Sequence, residues 1–368
     1  MNRFGTPHLL IAATLLVGGG LVMVYSASAV SAELEQGASY AYLLRQLAAA
    51  AVGLVLLLGL ARMPVVWIER LAYLAWAASV VSLAATFGPW GNEVNGARRW
   101  LVAGPVSFQP LELAKLGVIV GVARWLSAHS ERIGDFRVGV VMPALLAGLP
   151  AALLLAQPDF GGAMLLLVHT GVLLFAAGAR LGHLGCTAVA AAPVAVYLAV
   201  GSPYRVQRLV AFFNPWSDPL DTGYQLVQSE LAFGAGGWTG AGLGAGLQKL
   251  FYLPEAHTDF IFSVIGEEAG LVGVGFVLAC FAVIAVSSLG IASRAPTGFG
   301  TLLALGAGLV LWLQAALNMG VATGLLPTKG TTLPLVSFGG SSLVASLVAI
   351  GLILAVARPR KRRRAGWR

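Results

Sequence analysis

Ten long stretches of this sequence are almost bare of charge, and they decide what its solvent must be. They cover residues 9–28, 43–61, 71–87, 111–127, 138–156, 161–179, 182–200, 260–292, 299–326 and 339–357. Each is 17 to 33 residues long, and a helix needs roughly 20 apolar residues to cross a bilayer. Only 10% of the 368 residues are charged and 58% are hydrophobic, where a soluble domain carries about 25% charged residues. Such a chain cannot cover a water-facing surface. The expected fold is all-α: one polytopic membrane domain over residues 1–368, with about ten transmembrane helices. The 47 glycines follow no period, which suits close helix packing in lipid and excludes collagen. Ala27, Ser28 and Ala29 give the first run a signal-peptide look. Nine further runs follow, so it reads as a retained helix. Cys186 and Cys280 lie inside apolar runs without metal-type spacing, and read as small buried hydrophobes.

Ten spans place both termini on one side. Of the 23 Lys and Arg residues, fifteen fall in the termini and the loops on that side, among them Arg3 and seven in the basic tail 358–368. Seven fall on the other side, and Lys115 lies within a span. Positive charge marks cytoplasmic loops, so both termini are expected in the cytoplasm. Run 260–292 reads as one long helix that projects beyond the bilayer, because splitting it would put the basic tail outside. That tail supplies most of the +8 net charge. Beside a last membrane helix, such a run grips anionic lipid, and no nucleic-acid partner is expected.

Three connections on the external side, 88–110, 201–259 and 327–338, are long, and twelve of the fifteen acidic residues lie on that side or within spans. Chemistry is therefore expected at the external face. The first connection holds GARRWL (96–101) and leads into FQPLELAK (108–115). Trp100 is a residue of bilayer surfaces, and Arg98 and Arg99 are donors for phosphate. Lys115 lies one turn after Glu112, either as a functional intramembrane cation or as half of a structural ion pair. The external loop 201–259 ends in PEAHTDF, where Glu255, His257 and Asp259 precede the long helix. Asp259 is either a desolvated general base or the N-cap of that helix, with Thr258 as the alternative cap. Glu267 and Glu268 either orient helices or bind a basic partner. The Gly-rich 234–248 either approaches a ligand or packs as a tight turn. In the last connection Lys329 stands between Pro327 and Pro334, either as a fixed cation suited to pyrophosphate or as an ordinary solvated lysine. Ser341 begins the final helix, where free N–H groups favour anions.

Five blocks, GARRWL, FQPLELAK, NPWSDPLDTGYQLVQS (214–229), QKLFYLPEAHTDFIFSVIGEE (248–268) and LPTKGTTLPLVSFGGSS (326–342), together resemble the SEDS family. They stand in that family's order, and the resemblance extends from VMVYSAS (22–28) to the final helix. Within it, LPEAHTDF and LPTKG are similar to the FtsW branch more than to RodA, and Phe338 replaces a tyrosine common in the family. The resemblance implies a peptidoglycan glycosyltransferase that polymerises lipid II for septal wall synthesis. It implies work with a class B penicillin-binding protein of the FtsI type, among divisome proteins, in the bacterial inner membrane with the site facing the periplasm. The motif Asp is here Asp259, the implied catalytic residue. Glu255, Lys115 and Lys329 carry over as substrate-binding residues. Arg98, Trp100, His257 and Ser341 join them as candidates. The carboxylates Asp259 and Glu255 would suit Mg2+ or Mn2+, though the sequence requires neither. A RodA-like elongation polymerase has the same chemistry. A lipid II flippase is the rival reading, against which stand the absence of matching halves and the gathering of polar residues at one face. A scaffold that only recruits partners leaves the buried carboxylates unexplained.

Overall fold

All ten apolar runs are helical in the computed structural model, which describes residues 5–94, 96–104 and 106–358. The chain begins with α1 (Thr6–Gln36), α2 (Ala41–Arg62), the short α3 (Val65–Arg70) and α4 (Ala72–Ala85). A small sheet of β1 (Gly91–Val94), β2 (Ala97–Ala103) and β3 (Val106–Phe108) leads into α5 (Pro110–Ala128). Then come α6 (Met142–Ala156), entered through a π turn at Arg137–Val141, α7 (Phe160–Ala176) and α8 (Leu181–Val200). The connection 201–259 contributes α9 (Pro203–Phe213) and α10 (Tyr224–Gly236), and α11 (Ile261–Ala292), α12 (Gly298–Ala322) and α13 (Gly340–Ala357) complete the chain. The basic tail beyond Arg358, and Arg3, lie outside the described residues.

The protein is a polytopic helical membrane protein. Among the described residues seven helices are both long and apolar enough to span: α1, α2, the continuous stretch Arg137–Ala156, α8, α11, α12 and α13. The other three expected spans differ for physical reasons. Helices α4 and α7 have 14 and 17 residues, and α5 carries Glu112, Lys115 and Arg124. α5 tolerates charge because it runs through the centre, where Glu112 and Lys115 neutralise each other. α12 and α13 are also mostly buried. α8 has no buried residue, so it forms the rim, and Cys186 is exposed there rather than packed inside. At one end of the bundle Arg124 pairs with Glu69 at 2.9 Å and the Arg358 guanidinium donates to the Arg62 carbonyl. The three long connections gather at the other.

Two features depart from the expected all-helix pattern. The connection 88–110 is a three-stranded antiparallel sheet in the order β1-β2-β3. Also, the helix expected to run unbroken through 260–292 breaks at Gly270 (φ 63°, ψ −161°). The turn 237–242 inserts its backbone there. Leu271 and Val272 donate to the carbonyls of Gly237 and Trp238, while Ala241 and Gly242 donate to those of Glu267 and Glu268. These four bonds satisfy backbone groups at the break, as the bilayer interior demands. A Cβ on Gly270 would sit 2.3 Å from the Gly240 nitrogen, so the close approach requires glycine on both sides. The Gly-rich stretch is therefore a packed turn. Glu268 takes Lys249 at 2.8 Å and the Ser26 hydroxyl, and Glu267 takes the backbone N–H groups of Leu247 and Gln248. These two glutamates fasten the loop to the bundle.

Candidate active site

The end of the bundle where the three long connections gather holds a charged cluster assembled from five separate elements. Asp259 is presented by a tight turn. The Glu255 carbonyl accepts from the N–H groups of Thr258, Asp259 and Phe260, and Glu255 itself sits at φ 55°, a conformation that costs a non-glycine residue about 1 kcal/mol or more. Leu253, Ala256, Phe260 and Ile261 are buried and anchor the turn. The N-cap of α11 is Phe260, with no side-chain cap bond, so the Asp259 carboxylate is not used for capping. Thr258 does not cap either; its hydroxyl donates to Glu255 Oε2 at 2.6 Å.

Lys329 faces this carboxylate from the connection between α12 and α13. A Cβ on Gly330 would lie 2.7 Å from Asp259 Oδ2, which shows how closely the two segments approach. On its other side Lys329 presses on the start of α7, where a Cβ on Gly161 would fall 2.1 Å from Lys329 Cε and 2.8 Å from Nζ. Asp159, the N-cap of α7, accepts from the Gly162 N–H and also attracts Lys329. Arg99 on β2 donates to the Pro158 carbonyl at 2.7 Å and leaves Nε unpaired among the described residues. Arg208 on α9 donates to the Thr328 carbonyl at 3.0 Å and acts on Asp259.

Burial shifts both central groups toward neutrality. Desolvation, reinforced by Glu255 and partly offset by Arg208 and Lys329, raises Asp259 to about 7. Desolvation lowers Lys329 to about 8, with Lys115 and Arg99 lowering it further and Asp159 and Asp259 opposing. Burial also lowers His257, against the pull of Glu255 and Glu35. A carboxylate poised near neutrality beside a fixed cation is an arrangement for proton transfer and anion stabilisation.

The remaining sequence candidates divide. Lys115 is buried between Glu112, at 2.8 Å, and the Gln314 side chain, to which it also donates. It is a member of the cluster's foundation rather than of its open face. Arg98 points away, exposed and paired with Glu93 across the β1–β2 register. Trp100 is half-buried on β2 opposite Asn92. The His257 ring packs among Tyr42 and Phe338, at centroid distances of 5.0 and 5.6 Å. Ser341 accepts from the Gln109 N–H at 3.0 Å and so ties the start of α5 to α13. Among the described residues no three His, Cys, Asp or Glu side chains come together to hold a metal ion.

Asp159, Arg208, Gln314 and Asn318 were not singled out by the sequence. The Gln-Pro-Asp between the fifth and sixth runs, and two amides four residues apart inside the ninth, were the signals available. Beside the cluster a cleft of about 460 Å³ opens at the protein surface, lined by Gln207, Arg208, Asp221, Tyr224, Gln225 and Thr328 among others.

Residues 7–362 match the profile of the FtsW/RodA/SpoVE family, described as "Cell cycle protein". The chain is 46% identical to a probable peptidoglycan glycosyltransferase FtsW of Nitrosococcus halophilus, covering 95% of this chain and 91% of that protein. It is 41% identical to the corresponding protein of Marinobacter nauticus, covering 97% and 90%. Among solved structures it superposes on a chain of a peptidoglycan synthase complex that coordinates polymerization and crosslinking, with TM-score 0.79, 34% identity, and 96% and 98% of the two chains covered. It likewise superposes on the rod shape determining protein RodA of Thermus thermophilus, with TM-score 0.70, 33% identity, and 96% and 97% covered.

Proposed function

This chain belongs to the FtsW/RodA/SpoVE family, and from that premise we propose that it is a peptidoglycan glycosyltransferase that polymerises lipid II during septal wall synthesis. The observation that carries the reading is the Asp259 carboxylate, uncapped, partly buried, raised to about 7 and facing Lys329. Asp259 takes the proton from the acceptor 4-hydroxyl as its oxygen attacks the donor anomeric carbon. The bond from that carbon to the pyrophosphate oxygen breaks, and undecaprenyl pyrophosphate leaves with the electron pair. An α-linked donor gives a β-linked product in one inversion, so no covalent intermediate is needed. Lys329, with Arg99 and Arg208 beside it, stabilises charge on the departing pyrophosphate. The RodA-like reading shares this chemistry; the FtsW names of the relatives favour division.

In this reading the chain has ten spans with both termini cytoplasmic and the cluster faces the periplasm from the inner membrane, which the excess of Lys and Arg on the side of the termini supports. There the lipid tail stays in the bilayer while the polar strand extends through the open cleft. The partner is a class B penicillin-binding protein that cross-links the product. Asp259 and Glu255 are only two carboxylates. They are the residues that would hold a Mg2+ or Mn2+ ion, and its chemistry would be to neutralise charge on the leaving group.

The test is polymerisation of lipid II by purified protein, with and without the penicillin-binding partner, comparing wild type with Asp259→Asn. Glycan strands from the wild type and none from a folded variant are expected. Equal polymer from both would refute the base. No polymer from either, with the partner present, would favour a flippase.

A further inference from the structure

The two segments that carry Asp259 and Lys329 are loops, and loops by themselves do not hold a base and a cation to the fraction of an ångström that proton transfer needs. Beneath them, on the membrane side, α12 presents two amide side chains one helical turn apart. Asn318 Nδ2 donates to the Asp259 carbonyl at 2.7 Å and to the Thr331 carbonyl at 2.5 Å. Gln314 Nε2 donates to the Thr332 carbonyl at 3.0 Å, and Gln314 Oε1 accepts from Lys115. Both side chains are almost fully buried, at 1% and 3% exposure. The amide orientation is fixed chemically: only the NH2 end of Asn318 can meet two carbonyls, and only the oxygen of Gln314 can meet an ammonium.

We propose that Asn318 and Gln314 are positioning residues that clamp the Asp259 turn to the Lys329 loop, with the Lys115–Glu112 pair as the anchor behind Gln314. Asn318 joins the two segments directly, since a single NH2 group takes one carbonyl from each. Gln314 holds the next residue of the Lys329 segment and is itself gripped from α5. Lys115 acts through this chain of bonds and not by touching pyrophosphate. The proposal rests on the reading of Asp259 as base and Lys329 as its cation. The charges that face Asp259 are Glu255, Arg208 and Lys329. Those that face Lys329 are Asp159, Lys115, Arg99 and Asp259, with the buried His169 of α7 also within its field. Loosening the clamp lets Asp259 and Lys329 relax toward water, where each regains its ordinary affinity for protons.

The experiment uses the full chain with its penicillin-binding partner and measures lipid II polymerisation across pH 5.5 to 9.5 for Asn318→Leu and Gln314→Met, near-isosteric changes that add no charge. Asn318→Leu is expected to lower the rate about tenfold to a hundredfold and to move the acid limb down and the alkaline limb up by about one pH unit or more. Gln314→Met is expected to move chiefly the alkaline limb. Limb positions do not depend on the active fraction, so a partly unfolded preparation lowers the profile without shifting it. Unshifted limbs in both variants, at whatever height, would overturn the clamp while leaving the base reading intact. Full activity of Asp259→Asn in the same assay would instead remove the base reading on which the clamp depends.

Discussion

The pH dependence of polymerisation follows from the electrostatics of the cluster. On the proposed mechanism catalysis needs Asp259 ionised and Lys329 protonated, with values of about 7 and about 8. Activity is gained as pH rises through the first and lost as it rises through the second, which gives a bell. With these two values about 60% of molecules are competent near pH 7.5 and about 9% at pH 6 or pH 9, a roughly sevenfold fall on each side. Ordinary values for exposed groups, 3.8 and 10.5, would give a flat profile over the same range. The assay is initial-rate polymerisation of saturating lipid II, read as glycan strands. Substrate titration is separated from enzyme titration by Lys329→Arg, because a guanidinium stays protonated throughout. The alkaline limb should vanish in that variant whatever its absolute rate. A flat wild-type profile would refute the reasoning, and so would an alkaline limb that survives Lys329→Arg.

Four further outcomes are expected. Asp259 binds protons more tightly in the folded state, so the native protein loses stability as pH rises from about 4 to about 7. Above that window Asp259→Asn should be inactive yet more stable, by as much as about 4 kcal/mol at pH 7.5, seen as a higher unfolding temperature. Gly161→Ala would put a methyl 2.1 Å from Lys329 Cε. Since only the end of a flexible side chain must move, the protein should fold normally and polymerise at a small fraction of the wild-type rate. Arg99→Ala should impair polymerisation while Arg98→Ala, whose guanidinium pairs with Glu93 in the open, should change it little. Glu268→Ala would strand Lys249 in a nearly buried site and should cost about 3 kcal/mol or more, measured as lost thermal stability rather than as a shifted pH profile.

The membrane and the helices were legible in the sequence alone. These follow from local composition. A run of apolar residues must form a helix in lipid whatever its neighbours do, and the ten runs match helices whose ends mostly agree to within a few residues, α1 and α12 departing furthest. The family motifs likewise pointed to Asp259 and Lys329 without any coordinates. What surrounds those two residues became visible only in the assembled fold. Whether Asp259 caps α11 depended on the turn at Glu255, whose left-handed backbone no pattern announced. Whether Arg98 or Arg99 meets the cluster depended on β-strand alternation in a segment expected to lack strands. The break at Gly270 and the bonds of Asn318 and Gln314 join residues far apart in sequence. Such bonds depend on which distant carbonyls lack a partner, a property of the assembled bundle and not of any stretch of chain.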